Sequence, residues 1–60
     1  METLRERVVK YHEETGAKYK DIAQACDIGF STMYNFTSGL RELKPFPAGK
    51  LDKYLKEKGY

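Results

Sequence analysis

Residues 19–39, YKDIAQACDIGFSTMYNFTSG, carry the pattern that decides the fold. Ile22, Ala23 and Cys26 recur at helical spacing on one face, and the small residues Ala23 and Ala25 let a second helix approach closely. Asp27 tolerates the left-handed conformation, Ile28 is an apolar anchor, and Gly29 suits the N-cap of a following helix. From Phe30 to Thr37 the spacing predicts a helix that turns Met33 and Phe36 inward, with Leu40 just past Gly39 prolonging the apolar contact. At about 100° per residue, Ser31, Asn35 and Ser38 fall on the opposite face with Tyr34 beside them. No residue from Gly29 to Gly39 is charged, in a chain that is 33% charged. The outward face of this helix is therefore short, polar and neutral.

The flanking segments supply the rest of the helical framework. Leu4, Val8 and Tyr11 recur at helical spacing among charged residues and Thr3 can cap the start, so Thr3 to Glu14 reads as an amphipathic helix ended by Gly16. A second helix covers Lys18 to Cys26. After the central stretch, LRELKPFP is stiffened by Pro45 and Pro47, each of which disfavours a helical residue before it. Pro47 suits the first position of a last helix running to Lys58, with Leu51, Tyr54 and Leu55 on one side and Lys50, Lys53, Lys56 and Lys58 elsewhere. Nothing alternates with period two long enough to argue a strand, so the expected fold is a compact, four-helix, all-α domain spanning 1–60.

Composition narrows the function. Sixty residues make one small core, in which only about 60% of the unfolded surface is buried. Cys26 is alone and is read as a small buried apolar residue, while His12, the single histidine, is read as a boundary residue of the first helix. Neither an internal disulfide nor a tetrahedral zinc set can be assembled. No paired-carboxylate site, phosphate-binding glycine loop or Ser/His/Asp arrangement is present, so an enzyme, a cofactor and a small-molecule substrate are not expected. No apolar run suits a membrane span or signal peptide, and a cytoplasmic location is expected. The net charge is +2, and its distribution is uneven: residues 1–28 carry five basic and six acidic groups, residues 29–60 six and three. The basic excess lies in the second half, mildly favouring nucleic acid.

The apolar set Ile22, Ala23, Cys26, Ile28, Met33 and Phe36 has the spacing of a helix-turn-helix, here over about residues 19–39. With these residues in place, the stretch resembles the motif of the lambda-repressor and Cro-like family of phage and bacterial transcription regulators. The resemblance extends over the helix before Gly16 and the one after the Pro-rich loop. It implies a DNA-binding domain in a bacterial host cell, whose second motif helix enters the major groove of operator DNA while the first crosses the backbone. A homodimer on a roughly palindromic site is implied as well. On this resemblance Phe30, Ser31, Tyr34 and Asn35 match base-contacting positions, and Tyr19 matches one where the family usually has Gln. Arg41 and Lys44 match the loop after the motif, a usual source of phosphate contacts, and Lys50 lies where the DNA backbone could also pass. The chain departs from the family's pattern at Lys18, Tyr19, Asp27 and Phe30, which are contact and turn positions rather than core positions.

Two functions follow. Asn35 can pair bidentately with adenine, and Ser31 and Ser38 can bond to bases or phosphate, which supports operator binding. Alternatively Tyr19, Phe30 and Tyr34 form an exposed aromatic patch of the kind protein interfaces favour at their centres. The chain then resembles the small modulator-of-repression proteins of temperate phages, antirepressors that would cover a cognate phage repressor. Lys53, Lys56 and Lys58 read as a solvated rim.

Overall fold

In the computed structural model, which describes residues 2–60, four helices are each stopped by a locally encoded device. The first, α1 (Leu4–Thr15), opens with a capping box. The Thr3 hydroxyl accepts from the Glu6 N–H at 3.1 Å while the Glu6 carboxylate accepts from the Thr3 N–H at 3.3 Å. It closes at Gly16, left-handed at φ 74°, whose N–H returns to the His12 carbonyl.

The next two helices, α2 (Tyr19–Ala25) and α3 (Phe30–Thr37), are joined by residues 26–29. Asp27 adopts φ 56°, and the Asp27 and Ile28 N–H groups bond to the Gln24 and Ala23 carbonyls at 3.2 and 2.8 Å. This is a Schellman motif with aspartate where glycine is usual. The ends of α3 and of α4 (Pro45–Glu57) repeat it, with Gly39 and Gly59 in the left-handed position.

Two sequence expectations are corrected here. The last helix starts at Pro45, not Pro47. The first N–H groups of a helix have no intrahelical partner, so prolines at its first and third positions forfeit no bond, and the ladder begins with the Ala48 N–H on the Lys44 carbonyl. Leu40 does not prolong the apolar contact of α3: it is 71% exposed, because the Gly39 reversal carries it off the core.

The core forms as the periodicity requires. Val8 and Tyr11 of α1, Ile22, Ala23 and Cys26, Ile28 of the turn, Met33 and Phe36 of α3, and Leu51 and Leu55 of α4 make one buried cluster. The helix α1 packs on α3 and α4, and α2 on α3. No strand occurs among the described residues. Among the described residues no helix is long and apolar enough to cross a membrane.

Candidate nucleic-acid interface

Burying Met33 and Phe36 fixes the rotation of α3, and with it what α3 turns outward. Ser31, Tyr34 and Ser38 are exposed, Tyr34 by 56%; Asn35 is half-buried. Phe30, at the first position of α3, is 54% exposed and is not part of the core. Among the described residues, the hydrogen bonds made to Asn35 all end on its main-chain oxygen, from the Leu40 and Arg41 N–H groups and the Ser38 hydroxyl. Its side-chain amide is left over for another molecule.

Two clefts run along the edges of this face. One, of about 350 Å³, is lined by Thr32, Asn35, Arg41, Glu42, Lys44 and Pro47. The other, of about 210 Å³, is lined by Lys20, Ala23, Gln24, Ile28 and Phe30. Phe30 and Asn35 are about 140° apart around the helix axis, so the clefts lie on opposite flanks of α3. Each flank therefore holds at least one cation: Lys20 on one side, Arg41 and Lys44 on the other.

Those three lie outside the ion pairs among the described residues, as do Lys10, Lys18, Lys53 and Lys58. Among the described residues the paired cations are Arg5 with Glu42, Arg7 and Lys56 with Asp52, and Lys50 with Asp27. Glu42, the one acid lining the larger cleft, is thus drawn toward Arg5. Arg5 also donates from Nε to the Phe36 carbonyl at 2.6 Å and from Nη2 to the Arg41 carbonyl at 3.1 Å, with its guanidinium 4.8 Å from the Phe36 ring centre. A cation on the Phe36 carbonyl, in the last turn of α3, suits the helix dipole, and its second bond to the Arg41 carbonyl pins the loop that follows.

The structure gathers only part of the residue set expected from the sequence. Phe30, Ser31, Tyr34, Asn35 and Ser38 lie along α3, and Arg41 and Lys44 join them at the Asn35 flank. Lys50 does not join them. It reaches Asp27 at 3.4 Å, sits 4.8 Å from the Phe46 ring centre, and lines a separate hollow with Cys26, Lys53 and Tyr54. Tyr19 does not join an aromatic patch either: it is half-buried and stacks on His12, with ring centres 4.1 Å apart. Burial, and then the nearby Glu13 carboxylate, raise its phenol pKa. His12 is held in turn by donating from Nδ1 to the Ala17 carbonyl at 2.5 Å. The pair braces the α1–α2 junction.

Lys20 and Arg5 were not singled out by the sequence. Lys20 and Gln24 stand four residues apart on the outward side of α2, a spacing that identifies a shared face. Arg5 has no such local signal, because its partners lie in residues 36–42. Burial raises the pKa of the Cys26 thiol, opposed by Lys50, which makes it a poor nucleophile. Comparison of the chain with protein-family models, with curated proteins and with solved structures returned no match.

Proposed function

We propose that this protein is a helix-turn-helix transcription regulator that lays α3 in the major groove of operator DNA. The observation that carries the reading is the arrangement of charge: a neutral outward face on α3, flanked on one side by Lys20 and on the other by Arg41 and Lys44, none of them in an ion pair among the described residues. A helix with its side chains is about 10–12 Å across and the major groove about 12 Å wide, so a docked helix has a phosphate backbone along each flank. Cations at both edges meet those backbones and give sequence-independent attraction. The neutral groups between them meet base edges.

The resemblance to lambda-repressor and Cro-like regulators supports the same reading, since α2, the Asp27 turn and α3 correspond to its motif. The test is fluorescence anisotropy of the full chain with duplex DNA from the promoter beside its own gene and with an unrelated duplex. Selective binding at micromolar protein or below, weakening as salt is raised, is the expected result. Absence of salt-dependent binding to either duplex contradicts it.

A second reading rests on a different observation, the exposure of the Phe30 and Tyr34 rings by 54% and 56%. Rings bordered by few charges suit the centre of a protein interface, and an antirepressor would present them to a cognate phage repressor. Gel filtration with the repressor encoded by a neighbouring gene tests this. Co-elution as one species with loss of the complex in Tyr34→Ala supports it, and two separate species contradict it.

A further inference from the structure

The outward face of α3 has a narrower chemistry than polarity alone conveys. It offers two exposed rings, Phe30 and Tyr34, the hydroxyls of Ser31, Tyr34 and Ser38, and the amide of Asn35. Between Gly29 and Gly39 there is no Arg, Lys, His, Asp or Glu. In the major groove each base has its preferred complement. Guanine presents two acceptors, most often met by Arg or Lys, and cytosine presents a donor, met by a carboxylate. Adenine presents a donor and an acceptor matched together by an amide, and thymine adds a methyl group matched by apolar surface. The helix holds the complements of adenine and thymine and lacks the charged complements of guanine and cytosine.

The surroundings of the two decisive side chains agree with that division. Phe30 borders the cleft above the buried Ile28 and Ala23, and its half-exposed ring is the apolar surface that a methyl group arriving there meets. Asn35 borders the opposite cleft, and no intramolecular bond to its amide occurs among the described residues. At about 1.5 Å of rise per residue the two are roughly 7.5 Å apart along α3, or about two base-pair steps. Resting on the DNA reading above, we infer that α3 is specific for A·T pairs, with Asn35 bonded to an adenine and Phe30 against the C5-methyl of a thymine about two steps away. The flanking cations hold register, and specificity is carried by neutral groups.

The test separates this inference from the reading beneath it. The full chain is used to select from a pool of short duplexes randomised at their centre, and each thymine of the selected duplex is then replaced by deoxyuridine. That replacement removes the C5-methyl and leaves base pairing intact. The expected outcome is selection of A·T pairs at two positions about two steps apart. A thymine-to-uracil replacement at one of them should weaken binding about fourfold, the factor for one buried methyl-sized group. In Phe30→Ala, whose parent ring is already half in solvent, the thymine and uracil duplexes should bind equally. Selection of G·C pairs, or equal binding of thymine and uracil duplexes by the unaltered chain, overturns the inference and leaves the DNA reading standing. Absence of salt-dependent binding to any pool overturns both.

Discussion

The seam between α1 and α4 and the outward side of α3 are both rich in polar groups, and they treat them in opposite ways. At the seam Arg7 donates to the Tyr60 main-chain oxygen at 2.9 Å and pairs with Asp52, which also holds Lys56. The Tyr60 hydroxyl donates to Glu14, and Tyr11 meets both Tyr54 and Tyr60 edge to face. On the side of α3 the Asn35 amide, Lys20, Arg41 and Lys44 have no such partners among the described residues. A polar group satisfied inside the molecule contributes to stability. One that the fold orders and leaves unsatisfied is available to a ligand.

Mutations break that comparison in order of size. Met33→Ala, on the inward side of α3, should cost about 2–5 kcal/mol in urea unfolding, a large share of the stability of so small a domain, whereas Tyr34→Ala next to it should stay within about 0.5 kcal/mol. Arg7→Ala should lower the urea midpoint measurably, because it strips a charged partner from Asp52 and a donor from Tyr60, while Lys44→Ala should leave stability nearly unchanged. Arg5→Ala lies between them at about 1–2 kcal/mol, since its guanidinium is part-exposed but holds the end of α3. Asp27→Gly should raise stability by about 1 kcal/mol by relieving a left-handed residue other than glycine, at the loss of one exposed ion pair with Lys50.

The same seam predicts a dependence of stability on pH. Hydrogen bonds from Arg7 and then Lys56 hold the Asp52 carboxyl below its ordinary 3.8. Its contribution is therefore full above that value and disappears as pH falls through the lower folded-state value, and Arg7→Ala should flatten this acid limb of the unfolding curve. The hydrogen bond with Tyr11, followed by burial, pushes Tyr54 up to about 12. Its neutral form is favoured by folding, so that contribution is full below the ordinary 10.0 and is lost as pH rises through about 12. Ultraviolet titration should show Tyr54 ionising late, with Tyr19 and Tyr60 also displaced upward, and Tyr11→Phe should bring Tyr54 forward.

Features encoded within a few residues were legible in the sequence. The inward sets on the four helices, the Thr3 cap, the Gly16 stop and the left-handed Asp27 follow from periodicity and turn chemistry, and the structure has each of them. What the sequence does not show depends on contacts between distant segments or on chain reversal. Leu40 looked like a continuation of the Met33–Phe36 stripe until the Gly39 turn redirected it. Lys50 had the charge for a phosphate contact, but packing of α4 places it against Asp27. Tyr19 suited a surface patch until His12, a turn of chain away, stacked on it. Arg5 carries no local signal, because its role exists only once residues 36–42 are folded beside it.

The cations at the edges of α3 carry the assignment of this face to DNA, and their effect on the salt dependence of binding tests it most directly. If Lys20, Arg41 and Lys44 each meet a phosphate, a plot of log affinity against log salt for the unaltered chain has a slope of about −2.7 or steeper, and each alanine variant makes it shallower by about 0.9. Lys50→Ala, tied as Lys50 is to Asp27, leaves the slope unchanged. A slope near zero, or one that Lys50→Ala alters and the other three do not, contradicts the assignment of this face to duplex DNA.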